Sequence, residues 1–525
     1  MTAPAAPANP GMVTLTIEGR EVIVPPGTNL IEAARTAGVL IPHYCYHPSL
    51  PVAGVCRMCL VEVEKFPKLT PACATSVGEG QVVHVHSGKA REARKGVLEF
   101  LLINHPLDCP ICDQAGECEL QDYTFAEGRK DSRYMEPKRF NPMEDFGGDV
   151  IYVPNRCILC TRCVRFMDVV AKDPVLNVSE RGDRAYIGKF EGRDLTHAWA
   201  SNVVDLCPVG ALLSKDFLNK ARAWELDRAP SVCPSCSQGC NVTLETRDNV
   251  VVRIRPRPNT AVNQHFACDV GRLNYRWINR RDRLEFPMLR GSEGLSVAPW
   301  GDAVSAAASA ISSAARVTLL ASASLSNEAL FLLGRIAVHV NANAVMTVAR
   351  GPEAPLAGVK DLSLRTERVP NHTGAELFGF TEVISPLAGL GANDLLIVAD
   401  AAADVAAVPD GVRVVVIGTV IDTAFLSATI VALPICNFAE EDGTFTNLRG
   451  RVQRFQQAKA PPSQVRPSYR VLADVASALG AGAYPSLASD VFATLAASTP
   501  PFAGMTYRAL GLQGTLAAMP AEATP

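Results

Sequence analysis

The chain has 525 residues, with 50 lysines and arginines set against 53 aspartates and glutamates. A net charge of −3 leaves no basic surplus for a nucleic-acid partner, and 48% hydrophobic residues are enough for several buried cores. No apolar run reaches the roughly 18 residues that a membrane-spanning helix needs. No direct membrane insertion is therefore expected, and any membrane association would come through other proteins.

Residues 1–12 contain neither the basic and apolar regions of a secretory signal nor the arginines of a mitochondrial presequence, and read as a short disordered tail. Without a signal the cysteines are expected to stay reduced, which favours metal ligation over disulfides. Residues 13–24, VTLTIEGREVIV, alternate apolar and polar around Glu18-Gly19 and predict a hairpin. A helix follows, with Asn29 and Glu32 as a capping box, Leu30, Ile31, Ala33 and Ala34 as its apolar face, and Gly38 as its stop. Hairpin, helix, cysteine loop and then a strand at 60–63 is the order of a β-grasp ferredoxin.

Residues 87–103 predict a second helix, with Val97, Leu98, Leu101 and Leu102 at helical spacing. The polar, glycine-containing stretch 124–150 reads as a connecting loop, and 226–285 as a small β-rich segment. Beyond 290, VTLLASAS, DLLIVAD and VRVVVIG read as buried parallel strands separated by helices, an α/β domain. The longest apolar run, 412–421, contributes one of them. The Ala/Pro-rich last 25 residues are predicted to be loose.

Fifteen of the sixteen cysteines precede residue 269, and they fall into four groups. Cys45, Cys56, Cys59 and Cys73 are spaced C-x10-C-x2-C-x13-C. The close pair lets one loop grip one iron, and Gly54 ahead of it permits close backbone approach. The β-grasp order favours [2Fe–2S] here over structural zinc. Cys109, Cys112 and Cys118 lack a fourth thiolate, and His105 opens their motif, H-x3-C-x2-C-x5-C, as a candidate fourth ligand. An imidazole in place of a thiolate removes one negative charge and raises the reduction potential. Cys157, Cys160, Cys163 and the distant Cys207-Pro208 form a ferredoxin-like [4Fe–4S] signature. Cys233, Cys236, Cys240 and Cys268 alone fit either a zinc ribbon or a [4Fe–4S] site. His43, His47, His84 and His86 have no incomplete ligand set beside them and read as structural or solvated. Cys436 reads as an ordinary buried thiol, and Gly389-Leu390-Gly391 precedes its strand, unlike a dinucleotide-binding loop.

GVCRMCLVEVE (54–64), PACATSVGEG (71–80), NHPLDCPICDQAGECELQD (104–122), NRCILCTRCVRF (155–166) and DLCPVGAL (205–212) resemble the large, 75 kDa-type peripheral iron–sulfur subunit of respiratory NADH:quinone oxidoreductase, complex I. The resemblance implies one [2Fe–2S] centre at the first group and [4Fe–4S] centres at the second and third, with His105 a ligand. It also implies an extra [4Fe–4S] centre at the fourth group, off the main electron path. The chain would relay electrons from a flavin- and NADH-binding subunit toward a quinone-reducing module. It would do so among other peripheral-arm subunits, on the cytoplasmic side of the bacterial inner membrane. No FMN, NAD or molybdopterin is expected in this chain, and no substrate chemistry of its own.

Residues from 230 onward, including VPNHTGAELFGF (369–380) and EEDGTFTNLRGRVQRF (440–455), resemble molybdopterin oxidoreductases. Catalytic members of that family carry a lysine two residues after the last cluster cysteine, where this chain has Val270, and no cysteine lies between Cys268 and Cys436. A degenerate, non-catalytic α/β domain is the expectation, with a formate-dehydrogenase-like subunit as the alternative. An iron-only hydrogenase shares the first three motifs but would need a second ferredoxin pair and a C-terminal cysteine set, which are absent. A diaphorase subunit of a NAD-linked hydrogenase would stop near Cys207, leaving the long C-terminal domain unexplained. The implied organisation is multidomain α+β and α/β. A [2Fe–2S] ferredoxin-like domain covers 13–90, a His/Cys segment 91–130, and a [4Fe–4S] ferredoxin-like domain 131–225. A third [4Fe–4S] domain covers 226–285 and the molybdopterin-oxidoreductase-like domain 286–525.

Overall fold

A computed structural model describes residues 11–402 and 408–519. The predicted tail lies outside them, apart from Gly11 and Met12. The chain forms two compact units, residues 1–225 with 356–360, and 226–355 with 361–525.

The first unit opens on the expected hairpin. Val13–Ile17 and Arg20–Val24 pair antiparallel, joined by Glu18 and Gly19 at φ 47° and 73°. Both central residues at positive φ make the type I′ turn whose twist suits a two-residue hairpin. The hairpin edges a five-stranded sheet ordered Arg20–Val24, Val13–Ile17, Val82–His84, Leu60–Val63, Thr70–Pro71. Leu15, Ile17, Val22 and Val24 face a core completed by Leu30, Ile31, Ala33 and Ala34 of helix Leu30–Thr36. Asn29 Oδ1 caps that helix by accepting the Glu32 N–H at 3.0 Å, and Gly38 ends it at φ 68°. The reciprocal half of the capping box does not form, because the Glu32 carboxylate instead accepts the Tyr46 hydroxyl at 2.8 Å and pairs with Arg35.

Helix Gly88–Leu102 starts at Ser87, whose hydroxyl accepts the Ala90 N–H, and buries Leu98 and the guanidinium of Arg94, which pairs with Glu127. The stretch expected to be a loop is one only over 128–143. It begins inside helix Glu119–Glu127 and ends in strand Glu144–Gly147 and the start of Val150–Tyr152, which join Leu212–Ser214 in a small sheet. Phe146 and Tyr152 pack ring to ring beneath it, which supplies the apolar anchor that the polar composition concealed.

The second unit begins with an antiparallel sheet of Asp227–Val232, Asn241–Arg247 and Val250–Pro256. It continues into an eight-stranded sheet. Six strands are parallel, in the order Thr429–Pro434, Arg413–Gly418, Leu395–Ala399, Val317–Ser322, Asn343–Thr347, Thr381–Glu382, and the hairpin Met288–Gly291/Gly294–Val297 is added antiparallel at one edge. The three runs read as parallel strands are the central ones. Both faces are buried, as continuous apolar strands require. Leu319, Ile397, Val415 and Ile417 meet helices Trp300–Ser312, Asn327–His339, Ser468–Ala478 and Ala488–Ser498 on one face. Leu320, Leu396, Val398, Val414 and Val416 meet a smaller cluster on the other.

The C-terminal stretch departs from expectation through residue 519. Phe502 and Leu510 are buried in the helix-side core, and Thr515–Leu516 pairs with Arg451 and Val452. At Gly514 a Cβ would stand 2.4 Å from Val452 O, so the chain lies close against that strand there. Among the described residues no helix is long and apolar enough to cross a membrane.

Candidate metal centres

Most of the fifteen cysteines of the four groups, and His105, lie in loops, while Cys73 and Cys109 sit in short 3-10 turns and Cys163 in the helix Arg162–Arg165. In the first group the Cys45 sulfur neighbours those of Cys56 and Cys73, and Cys59 lies beside Cys73. Arg57 at φ 57° and Gly54 at φ 64° fold the loop, and the Cys45 N–H points at Cys56 Sγ, 3.5 Å away. Most of these sulfurs are buried, so a set of four thiolates here would need a cation to offset its charge.

His105, Cys109, Cys112 and Cys118 line one small cavity, together with Arg156 and Gly210. His105 Nδ1 is buried there and has no hydrogen-bond partner. Burial, reinforced by the Lys138 and Arg156 cations, holds the imidazole down to about 4, so it is neutral and able to ligate at neutral pH. Burial also pushes the Cys118 thiol up to about 11. Cys109 is the exposed member. A Cβ at Gly210 would stand 2.2 Å from Cys112 Sγ, so only glycine fits.

The third group surrounds a cavity lined by all four cysteines, with Tyr152, Ile187, Val209 and Ala211 among its apolar walls. Leu159 and Thr161 adopt left-handed φ of 52° and 60°, costly for non-glycine residues and restrained only by surrounding contacts. Main-chain donors aim at sulfur in both loops of the group: the Leu159 N–H at Cys157 Sγ (3.4 Å), and those of Val209, Ala211 and Leu212 at Cys207. Burial pushes the Cys157 and Cys207 thiols up to about 11 and Cys160 to about 12.

In the second unit Cys233, Cys236, Cys240 and Cys268 are buried, and burial raises every one of these thiols, Cys233 to about 12. The Gly271 N–H donates to Cys268 Sγ at 3.3 Å, and a Cβ at Gly271 would meet Cys233 Sγ at 2.8 Å. The segment 440–455 holds this loop. Asn447 Nδ2 donates to Gln238 O, Gln453 Nε2 to Gly239 O at 2.7 Å, and the Leu448 N–H to Ser237 O. The molybdopterin-oxidoreductase-like hairpin thus serves as a buttress for the fourth group.

Of the histidines set aside, His84 pairs with Glu64 at the surface and His43 contacts Ile41 O. Cys436 is buried, its thiol raised by burial and by Glu441 and Glu440. The Gly391 N–H donates to Asp394 Oδ2, which closes a turn ahead of strand Leu395–Ala399. Among the described residues no three His, Cys, Asp or Glu donors are placed to hold a single metal ion. The second and third groups instead each line one small cavity. Soft thiolates set around a small cavity, with N–H donors behind them, fit iron–sulfur clusters.

Sequence reasoning missed Gly210, Arg156, Arg162 and Arg165, since no motif spacing points to them. Arg162 Nη2 donates to Tyr46 O at 2.8 Å, and Nη1 donates to Leu206 O and the Glu119 carboxylate at 3.2 Å each. Its partners are therefore neighbours of Cys45, Cys207 and Cys118, one from each group of the first unit.

Fold and donor sets define a multi-cluster iron–sulfur protein. Family models match it piecewise: a 2Fe-2S iron-sulfur cluster binding domain at 11–88, the NADH-ubiquinone oxidoreductase-G iron-sulfur binding region at 94–133, and the NADH-quinone oxidoreductase subunit 3 ferredoxin-like domain at 147–213. The molybdopterin oxidoreductase Fe4S4 domain follows at 226–280, and the molybdopterin oxidoreductase family at 387–478. The G subunit of NADH-quinone oxidoreductase from Rickettsia bellii is 40% identical over 334 residues, 63% of this chain and 49% of that protein. The mitochondrial NADH-ubiquinone oxidoreductase 78 kDa subunit of Candida albicans is 43% identical over 302 residues, 57% of this chain and 42% of that one. A chain from the crystal structure of an NAD+-reducing [NiFe]-hydrogenase in the H2-reduced state is 31% identical, with a TM-score of 0.37, and covers 40% of this chain and 90% of its own. This chain is a homologue of the iron–sulfur subunit of NADH-quinone oxidoreductase. It spans about half the length of the curated relatives it matches.

Proposed function

We propose that the chain is the electron-relay subunit of a proton-pumping NADH:quinone oxidoreductase. It takes electrons singly from a flavin-bearing partner that oxidises NADH and hands them toward a quinone-reducing module. Other peripheral-arm subunits would hold it at the cytoplasmic face of a bacterial inner membrane. Cys45, Cys56, Cys59 and Cys73 hold [2Fe–2S]; His105, Cys109, Cys112 and Cys118 hold [4Fe–4S]; Cys157, Cys160, Cys163 and Cys207 hold [4Fe–4S]; Cys233, Cys236, Cys240 and Cys268 hold a further [4Fe–4S]. When bound, each cluster takes up and releases one electron. The protein's part is to place the clusters, exclude water and tune them through ligand identity and N–H donors.

The observation that carries the reading is the adjacency of three donor sets inside one unit. The Glu119 N–H, next to Cys118, donates to Pro208 O, next to Cys207. Arg165 contacts the carbonyls of Cys45 and Cys160. The third group is thereby tied to both others, and Arg162, bonded to Tyr46 O and to Glu119, also links the first to the second.

The test is metal analysis with low-temperature EPR on the purified full chain. About 14 iron atoms are expected, and about ten if the fourth group is empty or holds zinc. A colourless, zinc-only protein overturns the relay reading. The matches at 226–280 and 387–478 favour a second reading, a molybdopterin-dependent enzyme. Molybdenum in the same analysis would carry it.

A further inference from the structure

Arg165 follows Cys163 by two residues, and its guanidinium reaches from the third group to the first. Nη2 donates to Cys45 O at 2.6 Å and to Cys160 O at 3.1 Å. Nη1 donates to Pro51 O, and Nε to Thr161 Oγ1 at 3.3 Å. Four acceptors on a planar fork fix it in one orientation, which a lysine's single ammonium cannot reproduce. One nitrogen thus joins the carbonyls of one cysteine from each group.

The charge at this position is also unusual. Arg162, one turn earlier, has Glu119 as its counter-ion. Among the described residues Arg165 has no carboxylate partner, and the groups whose charge favours its own are the sulfurs of Cys160, Cys45 and Cys163. Burial and the Arg162 cation work against it. An isolated cation in such a place is costly unless anions face it, and the sulfurs that face it are candidate cluster ligands of two different centres, anionic when they hold a cluster.

We propose that Arg165 is the electrostatic and hydrogen-bonding bridge between the first and third clusters. It raises the reduction potential of both and provides a bonded route from the Cys45 sulfur through its carbonyl, Nη2 and the Cys160 carbonyl to the Cys160 sulfur. The inference rests on the cluster assignment above. In the step it serves, one electron leaves the reduced first cluster, where a ferrous iron becomes ferric, and one ferric iron of the third becomes ferrous. No bond breaks and no proton moves, because Arg165 stays protonated throughout.

Arg165→Gln and Arg165→Lys, made in the full chain, test it by EPR-monitored redox titration after iron counting. In Arg165→Gln the midpoints of the first and third clusters should move down together, while that of the His105 cluster stays in place. Arg165→Lys, which keeps the cation, should recover most of both shifts. Unchanged midpoints in the glutamine variant, or an equal shift of all three clusters, overturn the proposal. If the glutamine variant loses a cluster, the lysine variant decides: a first and third cluster loaded at unshifted midpoints supports the bridge, and their loss there too marks Arg165 as merely structural and overturns it. Absence of these clusters from the unaltered chain would instead sink the relay reading.

Discussion

The backbone N–H of Glu119 donates to the carbonyl oxygen of Pro208 at 3.1 Å, and each residue directly follows a cysteine of a different group. That bond pulls the 207–210 turn against the Cys109–Cys118 loop so closely that Gly210 has no room for a side chain.

Gly210→Ala is therefore expected to disrupt the His105 site selectively. Its Cβ would overlap Cys112 Sγ and press on Gln114 Cβ at 3.2 Å. Overpacking of this kind costs about 1–3 kcal/mol, and displacing Cys112 sacrifices a ligand. The check is the iron count, which should fall by about four, with the first group's [2Fe–2S] EPR signal retained. Full iron content with all signals present would show that the loop relaxes instead.

His105→Cys should keep its cluster but lower the cluster's reduction potential, because a neutral imidazole is replaced by a thiolate. The buried, unpartnered Nδ1 is the structural reason to expect ligation. An unchanged midpoint in a redox titration would remove His105 from the ligand set.

The local parts of this architecture were readable in the sequence and the long-range parts were not. Glu18-Gly19, the Asn29 cap and the C-x2-C loops are set by neighbours within a few residues, so their chemistry shows in the spacing. Arg162 and Arg165 work through carbonyls of Tyr46 and Cys45, 116 and 120 residues away along the chain, and a backbone carbonyl leaves no signature in residue type. The C-terminal stretch misled for a related reason. Its composition is that of a loose tail, but Phe502 and Leu510 insert into a core built by helices from elsewhere in the chain. The failed capping box has a physical cause too, since Tyr46 competes for the Glu32 carboxylate.

Arg162→Met should destabilise the first unit more than any one cluster site. Removing the guanidinium strands the Tyr46 and Leu206 carbonyls and the Glu119 carboxylate, and each lost charged hydrogen bond is worth about 1.5–3 kcal/mol. A lower melting temperature with loss of iron from all three groups of that unit is expected in thermal unfolding followed by metal analysis. Iron loss confined to one group would mean that Arg162 serves that site alone.

The second unit carries its own pH dependence, independent of any cluster. Glu328 and Glu441 are buried. Burial, the largest cause for each, pushes Glu328 up to about 7 and Glu441 to about 8 from an ordinary value of 4.5. Glu328 contacts the Thr444 and Tyr507 hydroxyls at 2.9 and 2.8 Å, and Glu441 accepts the Ser468 hydroxyl at 2.7 Å. Between pH 4.5 and these raised values the folded state holds protons that the unfolded state has released. Stability must therefore fall as pH rises through that window, by at most about 1.4 kcal/mol per pH unit for each group. Below pH 4.5 both states are protonated, and above pH 8 both are ionised, so the slope vanishes at either end. The double variant Glu328→Gln/Glu441→Gln removes both titrating groups and should flatten the decline between pH 5 and 8, measured as thermal unfolding of the second unit's transition. A wild-type slope that persists in the double variant would assign the dependence to other groups. The comparison between the two proteins also cancels any pH effect from thiolate protonation at the cysteines, since all of them are retained in both.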